Sequence, residues 1–289
     1  MNITELRRNY HHRICSEIIR ISEKKAIKGE TKLYPNFADG DSKASTEISW
    51  GIVRRLGCNI PPGGIKGQTA GRLFEQINKE FFEITFGLLS HIRPGKWYYS
   101  TQFKISEFDQ YEHLANLEKI IGDNSELASA MGKDYIIAPD IVIGRLPVSD
   151  MNINQRGVLV NVTDNIAKLT PLREDNVAGR PSLHASISCK WTIRSDRVQN
   201  SRTEALNLIR NRKGHLPHIV AVTAEPLLTR ISALALGTGD LDCVYHFALP
   251  ELKESVLEIK NEDQIEMFNM LVEGRRLRDI SDLPFDLAI

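Results

Sequence analysis

The stretch HASISCKWT, residues 184–192, decides the fold. Its side chains alternate in character along the chain. Apolar side chains occupy one face: Ala185, Ile187, Cys189 and Trp191. Polar side chains occupy the other: Ser186, Ser188, Lys190 and Thr192. Successive side chains of a β-strand point to opposite faces of a sheet, so the pattern predicts a strand with one apolar and one polar face.

The chain after this strand continues as an α/β pattern. VQNSRTEALNLIRNRK, residues 198–213, is typical of a helix, and Gly214 and Pro217 follow it as stop signals. HIVAVTAE, residues 218–225, is a short apolar run typical of a strand that is covered on both faces. Strand, helix and strand in this order indicate a crossover connection in a mixed sheet. LDCVYHFALP, residues 241–250, predicts a further strand, and residues 251–274 predict one C-terminal helix.

The chain before residue 184 is mainly helical in pattern. An opening helix has an apolar stripe that consists of Leu6, Tyr10, Ile14, Ile18 and Ile21. Residues 34–46 predict a polar loop, and helices are predicted around residues 73–88 and 108–122. DYIIAPDIVIGRL, residues 134–146, predicts extended structure that is interrupted at Pro139. We therefore expect a single α/β domain over residues 1–289, with a central mixed β-sheet flanked by helices. Its catalytic core would span about 130–250, with an N-terminal helical part and a C-terminal helix packed on it.

Charge and composition exclude some classes of protein. The chain of 289 residues carries 37 basic and 37 acidic side chains, so its net charge is zero. This balance argues against a polycation that coats nucleic acid without discrimination. It does not argue against a nuclease, because carboxylates that hold a metal offset the arginines that contact phosphate.

The cysteines and the apolar segments bear on the compartment. Cys15, Cys58, Cys189 and Cys243 are far apart and form no CxxC pair, so we expect neither a zinc site nor a disulfide framework. The first twenty residues contain charges throughout and do not resemble a signal peptide. No stretch approaches the ~20 apolar residues of a membrane span. We expect a protein of the cytoplasm with no membrane partner.

Four polar residues in this framework suggest phosphodiester hydrolysis. Asp140 follows Pro139 where an extended segment bends, Ser188 and Lys190 share the polar face of a strand, and Glu204 lies on the helix that follows. Magnesium held by carboxylate oxygens can activate water and neutralise a phosphate, and a lysine can orient the water. Each residue alone is more simply a turn, a solvated lysine or a surface glutamate. Their joint arrangement predicts an active site.

The segment Arg194-Ser195-Asp196-Arg197 stands at the strand-to-helix junction inside this set. Arginine can donate a fork to guanine O6 and N7, and aspartate can accept from cytosine N4, so the segment could read consecutive G·C pairs. In the alternative interpretation, Asp196 caps the helix and the arginines are solvated.

The run HASISCKWTIRSDR, residues 184–197, strongly resembles the NgoMIV-type type II restriction endonucleases, a branch of the PD-(D/E)xK nuclease superfamily. The resemblance extends over most of the chain. It includes GQTAGRLFE at 67–75, HIRPG at 91–95, LPHIVAVTAEP at 216–226, ALGTGDLDCVYHFAL at 235–249 and RDISDLPFDLAI at 278–289.

The resemblance implies roles for the catalytic residues. The superfamily has an acid two residues before the lysine, where this chain has Ser188. In the NgoMIV branch the missing carboxylate comes from the following helix, which is Glu204 here. Asp140 and Glu204 would then bind Mg²⁺, two ions per active site, with Lys190 beside the attacked phosphate. Glu75 matches a further acidic position of that active site.

The resemblance also implies a target and an assembly. Arg194, Asp196 and Arg197 would read a central CCGG, Gln68 would contact the minor groove, and Asp39 and Arg230 would read the outer G·C pair. The expected target in double-stranded DNA is GCCGGC, cut after the first G to leave 5′ overhangs of four bases. Members of this branch act as homotetramers, two dimers back to back, beside a cognate DNA methyltransferase that acts on the same site.

Two other functions fit parts of the pattern. A repair or recombination nuclease could use the same core without sequence preference, although it would not need an acid that faces the bases. A DNA-binding regulator without catalysis would have no reason to gather Asp140, Lys190 and Glu204 around one point. Discrete DNA fragments would favour restriction, a smear or structure-specific nicks would favour repair, and binding without cleavage would favour a regulator.

Overall fold

The computed structural model describes residues 2–25, 31–124, 126, 129, 138–161, 163–175, 179–193, 195–237 and 239–289. For residues 195–198 it describes the backbone alone. Within these ranges no helix combines the length and the apolar character needed to cross a membrane.

A mixed β-sheet forms the centre of the protein. In the described residues its six strands are β3 (Trp97–Ser100), β4 (Ile141–Arg145), β5 (Ser182–Lys190), β6 (His218–Thr223), β7 (Cys243–His246) and β8 (Leu277–Asp279), which lie side by side in chain order. β3, β4 and β5 pair antiparallel, whereas β5 to β8 run parallel. A separate antiparallel hairpin consists of β1 (Ile21–Lys25) and β2 (Thr31–Pro35).

Helices surround this sheet. The described helices are α1 (Ile3–Arg13), which continues as a π-helical turn over Ile14–Ile18, α2 (Lys43–Leu56), α3 (Gly67–Gly87), α4 (Glu112–Gly122), α5 (Asp150–Ile153), α6 (Ser195–Asn211), α7 (Leu228–Ala235), α8 (Leu249–Glu258), α9 (Glu262–Glu273) and α10 (Leu283–Asp286). Short 3₁₀ turns cover Ile105–Glu107, Asp109–Tyr111 and Asn154–Arg156. The α/β class and the mixed sheet expected from the sequence are confirmed.

Apolar burial sets the register of the strands that position the site. Ile141 and Ile187 pair across β4 and β5 and are fully buried, and Val220 and Val222 of β6 are also buried. Each such side chain contributes about 1.5–3 kcal/mol when buried. A slip of one residue would turn these side chains to the other face, so the register of β4 against β5 is strongly specified. The crossover from β5 through α6 to β6 is parallel, as the pattern predicted.

The N-terminal and C-terminal segments differ from the predictions. The opening helix ends before Ile21, which lies in β1 and is 40% exposed. The predicted polar loop at 34–46 contains the start of α2, because the Ser42 side chain accepts from Ser45 N and caps that helix. The predicted C-terminal helix is two helices. Lys260 takes a positive φ of 51°, and Asn261 then caps α9, so the chain turns between α8 and α9.

The cysteines correct one expectation. Cys15 and Cys58 form a disulfide bond between the π-helical turn after α1 and the residues just after α2, with Cα atoms 5.2 Å apart. The expectation that no disulfide forms was wrong for this pair, because the packing of the N-terminal elements brings together residues that are distant in the chain. Cys189 and Cys243 are free and buried, in agreement with the expectation for these two residues.

Candidate active site

Asp140 and Lys190 lie at adjacent ends of two antiparallel strands. Asp140 directly precedes β4, and Lys190 is the last residue of β5. The Asp140 Oδ2 atom accepts a hydrogen bond from Lys190 Nζ at 2.9 Å and a second from the backbone N–H of Cys189 at 2.7 Å. Ser188 Oγ donates to the same oxygen at 3.5 Å. The sheet register and these bonds hold the carboxylate and the ammonium together.

The environment of Lys190 keeps its side chain charged. Burial lowers the pKa of Lys190, but the Asp140 carboxylate offsets this effect by its charge and its hydrogen bond, so that the pKa is raised. Lys190 is therefore a cation and a hydrogen-bond donor at neutral pH, and not a base. This is the form that can stabilise negative charge on a phosphate.

Glu204 approaches the same point from α6. Ser201 lies three positions earlier on α6 and forms a hydrogen bond of 3.2 Å with Ser188, so this face of α6 packs against the end of β5. Burial raises the pKa of Glu204, Lys190 lowers it and Asp140 raises it, and the net shift is upward. The structure therefore brings Glu204 into the electrostatic range of both residues.

Glu75 of α3 belongs to the same electrostatic group. Burial raises its pKa to about 7, assisted by the negative charge of Asp140, and Lys190 and Arg72 act in the opposite direction. The neighbouring Phe74 packs edge-on against Trp191, with ring centroids 5.2 Å apart, so α3 is anchored beside the end of β5. Glu75 is therefore partly buried and within the electrostatic range of Asp140 and Lys190.

The donor set fits a hard divalent cation. Asp140, Glu204 and Glu75 provide carboxylate oxygens, and the pKa values of the two glutamates are raised chiefly by burial, with a smaller contribution from the charge of Asp140. No group of three or more His, Cys, Asp or Glu side chains in the described part of the chain is arranged to hold a metal ion. Mg²⁺ requires fewer protein ligands, because it is usually bound by one or two carboxylates together with water and substrate phosphate.

The residues expected to read the central bases fall largely outside what can be described. Arg194 lies outside the described residues. Asp196 and Arg197 are in the first turn of α6, where the backbone alone is described. Gln68 is exposed near the start of α3, two helical turns before Glu75.

The two residues expected to read the outer base pair lie together. Arg230 of α7 forms an ion pair with Asp39, which lies in the loop between β2 and α2. Asp39 Oδ1 also accepts from the N–H of Asp41, so the carboxylate is oriented by its own loop. A cavity of about 830 Å³ lies beside them and is also lined by Thr192 and Ile193, next to Arg194.

Glu225 is a residue that the sequence reasoning missed. It follows β6, is fully buried, and accepts hydrogen bonds from Ile193 N at 2.9 Å and from Leu227 N at 3.2 Å. Arg230 Nη1 lies 3.8 Å from its Oε2. The available signal was an acidic residue two positions after the end of an apolar strand that neighbours the lysine-bearing strand, a signal that an ordinary turn residue shares.

Comparisons with known proteins identify the family. The family model described as NgoMIV restriction enzyme matches residues 10–289. The type II restriction enzyme NgoMIV of Neisseria gonorrhoeae is 46% identical over 291 residues, which cover 99% of this chain and 98% of that enzyme.

Among solved structures, the restriction endonuclease Bse634I with cognate DNA has 15% identity and a TM-score of 0.36, and the match covers 86% of this chain and 99% of that one. A second structure of the Bse634I restriction endonuclease has 16% identity and a TM-score of 0.34, and the match covers 80% of this chain and 94% of that one. The assignment rests on the family model and on the 46% identical relative. The chain belongs to the NgoMIV restriction enzyme family and is a type II restriction endonuclease, a site-specific deoxyribonuclease.

Proposed function

We propose that this endonuclease recognises GCCGGC in double-stranded DNA and cuts after the first G, leaving 5′ overhangs of four bases. The hydrogen bond of 2.9 Å between Lys190 and Asp140, with Glu204 in electrostatic contact with both, is the observation that supports a hydrolytic site here. Water attacks in line with the leaving oxygen, and the products carry a 5′-phosphate and a 3′-hydroxyl.

Asp140 and Glu204 would hold Mg²⁺, two ions per active site, with Glu75 as a further carboxylate. The cation supplies neutralisation of phosphoryl charge and an acidified water when it is bound. Lys190 donates to a non-bridging phosphate oxygen from its charged ammonium. The N–H of Cys189 orients the Asp140 carboxylate at 2.7 Å while Lys190 turns from Asp140 toward the phosphate.

Base reading would be divided between two groups of residues. Arg194, Asp196 and Arg197 read the central CCGG from the start of α6, and Gln68 contacts the minor groove. Arg230 and Asp39 read the outer pair, because an arginine fork suits guanine and a carboxylate accepts from cytosine N4. The ion pair between Arg230 and Asp39 supports this assignment, since it holds a donor and an acceptor side by side as a G·C edge requires.

The proposed assembly is a homotetramer, two dimers back to back. The segment of residues 146–175, between β4 and β5, contains five apolar side chains that are between 73% and 88% exposed: Met151, Val158, Leu159, Ile166 and Leu169. It is held in shape by Arg173, which is 1% exposed and donates to Asp150 at 2.8 Å and to the carbonyl oxygens of Ile166 and Ala167. Exposed apolar side chains that recur along one segment are common at protein interfaces. We assign this segment to the contact between dimers.

Such an endonuclease also requires a cognate DNA methyltransferase that modifies the same site. We place the endonuclease in the cytoplasm, where the DNA is. The test is digestion of DNA of known sequence with Mg²⁺, followed by sequencing of the fragment ends. Discrete ends at G/CCGGC support the proposal. Cuts at another discrete site would refute the target, and a smear or structure-specific nicks would refute the reading of bases.

A further inference from the structure

Glu225 is a buried carboxylate that contacts the backbone of Ile193 and of Leu227. One oxygen, Oε2, accepts from Ile193 N at 2.9 Å, and the other, Oε1, accepts from Leu227 N at 3.2 Å. The side chain is 1% exposed. Its backbone is also held, because Glu225 N donates to the Thr223 hydroxyl at 3.0 Å.

Each of these contacts lies next to one of the two groups of residues that are proposed to read bases. Ile193 immediately precedes Arg194, so its N–H is the last backbone donor before the segment expected to read CCGG. Leu227 is the N-cap of α7, the helix that carries Arg230. Arg230 places Nη1 3.8 Å from Glu225 Oε2 and directs Nη2 to Asp39. The Glu225 carboxylate thus contacts both the residue that precedes the segment expected to read CCGG and the arginine expected to read the outer pair.

The two backbone N–H groups that face Glu225 match the acceptors of a carboxylate better than those of an amide. An ionised carboxyl group has two acceptor oxygens and no donor, whereas an amide has one acceptor and one donor group. Glutamine at this position would therefore direct an NH₂ group at either Ile193 N or Leu227 N. It would also remove the charge that faces Arg230 and leave a buried donor unsatisfied.

We propose that Glu225 is a specificity-determining positioning residue that couples the reading of the central CCGG to the reading of the outer G·C pair. When Arg230 binds the outer pair correctly, it favours one position of the Glu225 carboxylate. In that same position the carboxylate orients Ile193 and the segment after it. This inference rests on the proposed function, because it assumes that Arg194–Arg197 and Arg230 are base readers.

The experiment compares wild type with Glu225→Gln on three substrates: the cognate site, a site with one central pair changed and a site with the outer pair changed. Cleavage is measured as kcat/KM, and binding is measured by competition in a Lys190→Ala background so that the DNA stays intact. The matched control is Glu258→Gln. This change removes an exposed carboxylate that pairs with Arg54 and Arg55 in the last turn of α2.

Glu225→Gln is expected to lower discrimination at both the central and the outer position by about tenfold each, within the range of a single mismatched pair. Arg230→Ala is expected to lower discrimination strongly at the outer pair and by a smaller factor at the central pairs, because the coupling through Glu225 is lost with it. Loss at one position only, or equal weakening on all three substrates, overturns the inference. Wild type without discrimination would instead refute the proposed function. Glu225→Asp keeps the charge and both acceptors but shortens the reach; it carries the test if the Gln variant does not fold, with a smaller loss expected at both positions.

Discussion

Lys190 Nζ donates to Asp140 Oδ2 at 2.9 Å, although the two residues are 50 positions apart in the chain. The contact exists because β4 and β5 pair antiparallel with Ile141 opposite Ile187, which brings the start of one strand beside the end of the other. The proposed metal ligand and the proposed phosphate-binding cation are thereby placed within one hydrogen bond of each other.

Asp140→Asn or Lys190→Ala should lower the cleavage rate by about 10²–10⁴-fold, because each removes a group that acts on the scissile phosphate or its water. DNA binding should persist, since recognition depends on other residues. Cleavage of a plasmid with one site and a gel-shift titration measure the two effects. A variant that cuts at the wild-type rate would show that the catalytic assignment is wrong; Glu258→Gln serves as the folded control.

Arg194→Ala and Arg197→Ala should each cost about 1–3 kcal/mol of discrimination at the central pairs. The physical reason is the loss of a bidentate bond to guanine. Asp196→Asn should also disturb specificity, since an amide presents donors where cytosine N4 already donates. Relative cleavage of cognate and centrally substituted sites measures the effect. If a variant weakened all sequences equally, its arginine would be a phosphate contact.

Leu159→Asp combined with Leu169→Asp should halve the mass of the assembly and leave the protomer folded. Both side chains are more than 70% exposed, so the change removes interface area without removing core. Light scattering coupled to size exclusion reports the mass, and thermal unfolding reports the fold. Ile289→Asp changes an 85% exposed residue outside the segment 146–175 and should leave the mass unchanged. An unaltered mass for the double variant would remove residues 146–175 from the interface.

Stability should depend on pH through Glu225. Burial raises its pKa from 4.5 to about 7, while the bonds from Ile193 and Leu227 and the charge of Arg230 lower it and Asp39 raises it. Below pH 4.5 both the folded and the unfolded chain are protonated at this residue. Between pH 4.5 and 7 the unfolded chain loses the proton first, so the folded state becomes relatively less stable as pH rises, and the full penalty is present above pH 7.

The Glu225→Gln variant does not titrate at this position. Its free energy of unfolding relative to wild type should therefore increase by up to about 3 kcal/mol between pH 4.5 and pH 7, at about 1.36 kcal/mol per pKa unit. Denaturant unfolding at a series of pH values measures this difference. A difference that is constant over the range would mean that Glu225 has an ordinary pKa.

The bond between Cys15 and Cys58 should stabilise the fold by about 2–4 kcal/mol, because it closes a loop of 43 residues in the unfolded chain. Denaturant unfolding with and without a reductant measures this contribution. The Cys15→Ser, Cys58→Ser double variant should show the lower stability and no response to reductant. If reductant left the wild type unchanged, the two thiols would be reduced in solution.

Much of the predicted fold and site came from local sequence patterns. The alternation at 184–192 placed Ser188 and Lys190 on one face of a strand, the helix predicted after it placed Glu204 nearby, and the motif resemblance added Glu75. The hairpin of β1 and β2, the break at Lys260 and the buried environment of Glu225 were missed, because each depends on contacts between distant segments. Glu225 has no local pattern that distinguishes it from a turn residue; Ile193, Leu227 and Arg230 give it its environment.

The sequence by itself determined the α/β class, the strand that carries Lys190 and the family, because side-chain periodicity and long motifs are local properties of the chain. The tertiary structure decided which carboxylates share one electrostatic environment, which loop acid meets Arg230 and which cysteines join. These are consequences of strand register and helix packing, which depend on apolar burial over the whole domain and not on any one segment.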